Sequence, residues 1–166
     1  IANLVLPFII YPYLIKVLHV QNYGLVAFAQ AVSGFLVLLV SFGLNIIGTI
    51  EVSKNRKNQK ILTQILSGIL TAKIILFLIS CILMFIALHY IKEAQGEYWL
   101  FYFSMWFCLY DILFPGWYFQ GIEEMKWITY ITLIMRLSSI VLMFAVIDAP
   151  SDYMLVPIMH GVGAII

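Results

Sequence analysis

Hydrophobic residues run along this chain in long blocks, broken by short polar stretches rather than alternating with polar positions. The blocks fall at residues 1–18, 24–47, 65–90, 98–119, 127–147 and from 153 to the end at 166. A bilayer-spanning helix needs about 20 mostly apolar residues, whereas a transmembrane strand alternates over about ten. The pattern therefore predicts an all-α integral membrane bundle, with about five full spans and a truncated sixth. The chain starts at Ile-Ala-Asn inside one apolar run and ends at Gly-Val-Gly-Ala-Ile-Ile inside another. The expectation is a fragment, a partial transmembrane lobe over 1–166.

Composition agrees: 64% of residues are hydrophobic and 10% charged, against about 45–50% and 25% in a soluble domain. The polar breaks set the orientation. Residues 54–60 hold Lys54, Arg56, Lys57 and Lys60, and the break at 122–126 holds Lys126 beside Glu123 and Glu124. The alternate breaks, at 19–23, 92–97 and 148–152, carry Lys92 as their only Lys or Arg. Positively charged loops stay on the cytoplasmic side, so 54–60, 122–126 and the N-terminus are expected there. Trp99 at the opposite end, and Trp117 and Trp127 at the basic end, sit where amphipathic rings favour the interface.

Polar residues inside the blocks come next, because a lipid-facing position can be wholly apolar. Gln30, Gly34, Ser41, Asn45 and Gly48 share one helical stripe, as do Ser104, Cys108, Asp111 and Pro115, and Thr129, Thr132, Arg136 and Ser139. Close helix packing with modest hydrogen bonds explains small and hydroxylated residues. Gln30, Asn45, Asp111 and Arg136 are harder to assign to packing, since a charge at mid-bilayer costs about 2.5–3.5 kcal/mol on the lenient scale. Asp111 and Arg136 lie about a dozen residues either side of the corner at 123–124, which predicts similar depth and an ion pair in an antiparallel hairpin. Lys73, a dozen positions into the third block, either snorkels to the basic end or faces a cavity. Pro7 and Pro12 predict a bend in the first span, static or flexing. Lys16 is expected to snorkel.

The chemistry of catalysis is missing. His19, His89 and His160 lie far apart, and no His-Glu-x-x-His, Gly-x-Ser-x-Gly or Walker-type motif occurs. Cys81 and Cys108 lack metal-ligand spacing and read as small buried hydrophobes. No enzyme activity, cofactor, metal site or nucleic-acid partner is expected.

Several motifs resemble one family along the whole chain. Pro12-Tyr-Leu-Ile-Lys16-Val-Leu, then Tyr23-Gly24 and Ala27-Phe-Ala, is similar to the first-span end and second-span start of the Wzx-type polysaccharide (O-antigen) flippases. These belong to the multidrug/oligosaccharidyl-lipid/polysaccharide exporter superfamily. Phe42-Gly-Leu-Asn45 with Gly48-Thr49 resembles the end of that family's second span, and Lys16 stands where Arg is common. Most specific is Pro115-Gly-Trp-Tyr-Phe-Gln-Gly121-Ile-Glu-Glu-Met-Lys126, which resembles its Pro-x-Trp-(aromatic)-Phe-Gln-Gly-x-Glu-x-Met-Lys corner. The resemblance implies about twelve spans in two lobes, of which this chain is most of the N-terminal one. It implies a multi-pass protein of the bacterial inner membrane acting in lipopolysaccharide biosynthesis. The cargo it implies is an undecaprenyl-pyrophosphate-linked oligosaccharide, moved among membrane lipids and beside other polysaccharide-assembly membrane proteins.

Arg136, then Lys73, are the cations expected to meet the diphosphate, with Asp111, Gln30, Asn45 and Thr132 lining the same cavity. Competing readings are a cation-coupled drug antiporter of that superfamily, a membrane-embedded glycan polymerase or ligase, and a structural membrane subunit.

Overall fold

The computed structural model describes the backbone of residues 2–90 and 96–163, and the side chains of 10–90 and 96–161. Among these residues every regular element is helical. They are α1 (Ala2–Ser41), α2 (Leu44–Lys54), α3 (Gln59–Tyr90), α4 (Tyr98–Ser104), α5 (Trp106–Leu113), α6 (Gly116–Gly121), α7 (Met125–Val146), a 3-10 turn (Pro150–Leu155) and α8 (Val156–Gly163). Three helical segments among the described residues are long and apolar enough to cross a membrane: Ile10–Lys54, Gln59–Tyr90 and Met125–Val146.

The first of these segments contains two arms. His19 has φ 62° and ψ 158°, outside the helical region, and the chain changes direction there. The Tyr11 and Tyr23 rings lie 6.4 Å apart, although the same interval along a straight helix rises about 18 Å. The turn is confined to His19, so the loop expected at 19–23 is mostly helix. Pro7 and Pro12 lie within the helical backbone of α1, and His19 is the one residue of that helix with non-helical dihedrals.

Two further breaks interrupt predicted spans, each two residues long. Between α1 and α2, Phe42 (φ 32°) and Gly43 (φ 74°) adopt positive φ, which glycine tolerates without a Cβ clash. The helix then runs on to Lys54, past the expected boundary at 47. Between α5 and α6, Phe114 is extended (φ −107°, ψ 91°) before Pro115. A proline disfavours the helical region for the residue that precedes it and has no N–H to donate. The predicted span 98–119 is therefore a helical path over 98–113 followed by a separate short helix.

Two apolar clusters fill the bundle. The larger joins both arms of α1 to α3, α4, α5, α7 and α8 through buried Leu14, Val26, Met84, Phe101, Cys108, Met143 and Val156. The smaller lies towards the basic end, where Val52, Leu62, Ile69 and Trp117 pack together. Side-chain hydrogen bonds close the opposite end. Tyr13 Oη donates to the Ile147 carbonyl (2.8 Å), Asn22 Nδ2 to the Pro150 carbonyl (3.0 Å) and Tyr153 Oη to Glu97 (2.7 Å). The polar breaks thus gather into two groups at opposite ends, as the alternation of loops requires.

Candidate functional site

Between the two apolar clusters lies a polar layer centred on Asp111, in the last turn of α5. Its Oδ2 accepts from Lys73 Nζ at 2.8 Å and from Ser41 Oγ at 3.1 Å, and its Oδ1 accepts from Asn45 Nδ2 at 3.4 Å. Lys73 Nζ also donates to the backbone carbonyl of Asp111 at 2.9 Å. The lysine side chain is 1% exposed and the aspartate 21%. Four helices contribute: Ser41 closes α1, Asn45 opens α2, Lys73 lies mid-way along α3, and Asp111 sits on α5.

A lysine buried to this degree is tolerated only with a charge partner and further hydrogen-bond acceptors. Asp111 supplies both, through its carboxylate and its carbonyl. The carboxylate in turn has three donors, so the layer is well satisfied at its centre. Asn45 Oδ1 and Tyr110 Oη are buried with no partner among the described residues, as are Gln30 Nε2 and Ser33 Oγ on the second arm of α1.

Asp111 therefore meets Lys73, not Arg136. The reason is in the packing: α5 lies against α1, α3 and α8, while α7 lies against α8 and α6. The break at Phe114–Pro115 and the short α6 take α5 out of the simple hairpin with α7 that the depth argument assumed. Arg136, carried by α7, is itself engaged and lies within electrostatic reach of His160 on α8. One turn further on, Ser139 Oγ donates to the Met159 carbonyl at 2.7 Å and ties α7 to α8. Lys73 does not snorkel, because its ammonium is turned onto Asp111.

Thr132 bonds back to the Ile128 carbonyl and Thr129 to the Met125 carbonyl, both within α7. Their hydroxyls serve the helix itself. Gln30 is half-buried on the second arm of α1 and makes no hydrogen bond to the Asp111 group among the described residues. The structure thus joins Lys73, Asp111 and Asn45, and leaves Gln30, Thr132 and Arg136 elsewhere.

The corner at 114–129 docks on α2. Thr49 Oγ1 donates to the Trp117 carbonyl (3.2 Å) and Arg56 Nε to the Gly121 carbonyl (2.7 Å), while Arg56 bridges Glu123 at 2.7 Å. A Cβ on Gly48 would lie 2.4 Å from Trp117, and one on Gly121 2.5 Å from Val52. Both glycines are required by close helix approach. Arg56 and Gly121 carry structure here that sequence reasoning did not assign, although the positive charge of the first loop facing the acids of the corner is a readable signal.

A family model described as "Polysaccharide biosynthesis protein" matches residues 1–166. A protein of Shigella dysenteriae named "Putative O-antigen transporter" is 31% identical over 165 residues, covering 99% of this chain and 41% of that protein. A protein of the same name from Escherichia coli (strain K12) is 28% identical over 151 residues, covering 91% of the chain and 36% of its own length. The chain thus spans about two fifths of the curated relatives it matches. No solved structure matches it.

Proposed function

This chain belongs to the polysaccharide biosynthesis protein family, and from that premise we propose that the whole protein is a flippase for a lipid-linked polysaccharide unit. The cargo in this reading is an oligosaccharide on undecaprenyl pyrophosphate, carried from the cytoplasmic to the periplasmic leaflet of a bacterial inner membrane. Both curated relatives are named as O-antigen transporters. The observation that carries the reading at the level of residues is the polar layer of Ser41, Asn45, Lys73 and Asp111 within an otherwise apolar helical bundle. Moving a diphosphate and several sugars past hydrocarbon requires polar groups held inside the protein, because each unsatisfied polar group costs several kcal/mol there.

Roles divide among the candidate cations. Lys73 is engaged by Asp111 and ties α3 to α5. Arg136, half-exposed on α7, is the proposed diphosphate contact, since a guanidinium offers the planar fork that phosphate oxygens match. Gln30, with an unpartnered buried amide, is a proposed sugar contact; Thr132 is the weaker one, its hydroxyl being turned to its own helix. The competing antiporter reading needs a deep acid open to a proton or sodium ion. Asp111 already holds an ammonium and two neutral donors, which weighs against it.

The test is export in cells lacking the native transporter, using the whole protein. Arg136→Ala is expected to insert stably and to abolish surface O-antigen, with Arg136→Lys restoring part of it. Normal export by a well-expressed Arg136→Ala variant overturns the diphosphate contact. Cation-dependent drug efflux with no glycan phenotype on deletion overturns the flippase reading itself.

A further inference from the structure

The two helix breaks and the polar layer belong to one mechanical arrangement. The first break, Phe42–Gly43, separates Ser41 from Asn45, and both of these donate to the same Asp111 carboxylate. The second break, Phe114–Pro115, begins three residues beyond Asp111. Both breaks therefore sit at the level of the Lys73–Asp111 pair, one on each side of it.

Below this level α2 and α6 are fastened to each other. The Thr49 and Arg56 hydrogen bonds, the Arg56–Glu123 bridge and the two glycine contacts at Gly48 and Gly121 all join them. Val52 of α2 and Trp117 of α6 form the smaller cluster together with Leu62 and Ile69 of α3, distinct from the larger cluster above. Among the described residues α3 alone passes unbroken from one cluster to the other, and it carries Lys73 at the crossing.

We infer that α2 and α6 form a single wing, hinged on the rest of the bundle at Phe42–Gly43 and Phe114–Pro115, with the Asp111 carboxylate as the latch that fixes its angle. Asp111 sits on the fixed side of the second hinge. It holds the wing through Asn45, the fixed arm through Ser41, and the α3 strut through Lys73. While Lys73 is paired the three attachments share one carboxylate and the hinge angle is set. Once the pair opens, the wing swings as one body about its apolar seat on Leu62 and Ile69 of α3, because the contacts that join α2 to α6 do not involve Asp111. The basic end of the bundle, where Arg56 and Glu123 lie, moves with it.

The device is independent of which substrate is carried, so its test reads distance rather than transport. In the whole protein, with Cys81→Ala and Cys108→Ala, spin labels are placed in bilayer nanodiscs. One pair, Ile50 with Gln120, lies within the wing; the other, Ile50 with Leu83, runs from the wing to the far half of α3. All three positions are exposed. Pulsed electron resonance on a Lys73→Met, Asp111→Leu background is expected to broaden or shift the 50–83 distance and leave the 50–120 distance unchanged. An unchanged 50–83 distance overturns the latch, and a 50–120 distance that moves with it overturns the wing.

Gly43→Ala covers the case in which the double variant does not fold. A Cβ there meets no atom within 4 Å, so only the φ of 74° is challenged. The same selective shift of the 50–83 distance is expected. Gly34→Ala, equally open but within regular helix, is expected to leave both distances alone. Equal distances in Gly43→Ala and Gly34→Ala overturn the first hinge.

Discussion

Removing either half of the Lys73–Asp111 pair leaves a very different residue behind, and the asymmetry can be worked from the structure. Asp111→Leu strands an ammonium that is 1% exposed, with a backbone carbonyl at 2.9 Å as its remaining acceptor. Stranding a buried charge in this way costs about 3–5 kcal/mol. Lys73→Met strands a carboxylate that is 21% exposed and keeps the Ser41 and Asn45 donors. Loss of one charged hydrogen bond from a group so supported costs about 1–3 kcal/mol. The acid replacement should therefore be the worse by about 2 kcal/mol, or about 30-fold in an unfolding equilibrium. Lys73→Met with Asp111→Leu removes both charges and should recover most of the loss, since apolar replacement of a buried pair is often neutral. The assay is unfolding of the whole protein in mild detergent, followed by tryptophan fluorescence and by a bilayer steric-trapping equilibrium. Lys73→Met costing as much as Asp111→Leu, or a double variant equal to the sum of the singles, would refute the reasoning. A parallel cycle of Asp111→Asn with Arg136→Gln is expected to be additive within about 0.5 kcal/mol, because those two side chains do not form the pair.

The remaining predictions concern the two ends. Gly121→Ala places a Cβ 2.5 Å from Val52 and 3.1 Å from the Thr49 carbonyl; it should cost about 1–3 kcal/mol by overpacking, with partial rescue by Val52→Ala in the same unfolding assay. Arg56→Ala loses the Gly121 hydrogen bond and an exposed bridge to Glu123, worth together about 1–2 kcal/mol; Arg56→Lys should rescue little, because the Gly121 carbonyl is met by Nε. Cysteines at Lys57 and Ser151 should react with an impermeant reagent from opposite faces, position 57 from the cytoplasm; labelling at 57 in intact spheroplasts would reverse the orientation. The Ala149 N–H holds the Asp152 carboxyl below its ordinary value, with burial opposing and the Asp148 N–H and Ser151 hydroxyl assisting. A depressed carboxyl stabilises the fold above its unfolded value and loses that contribution as pH falls through the folded one, so amide exchange at Ala149 should accelerate only in strong acid. Asp152→Asn should remove that acid response.

What the sequence determined follows from free energy that local composition alone controls. Apolar runs of span length, four cations in one break and a single Lys across the alternate ones are enough to specify membrane helices and to sort the polar breaks into two ends. The corner from Pro115 to Lys126 was legible as a unit because proline, glycine and charge interrupt helices whatever surrounds them. The partner of Asp111 was not legible. Lys73 lies as far from the basic break as Arg136 lies from the corner, so depth offered one acid and two cations and no means of choosing. Tertiary packing chose. Pro115 turns the chain out of its expected hairpin, α7 packs on α8, and α3 brings Lys73 beside Asp111. The break at Phe42–Gly43 escaped for the same reason: its neighbours are good helix formers in lipid, and the angle there is set by where the Asp111 carboxylate and Trp117 require Asn45 and Gly48 to be.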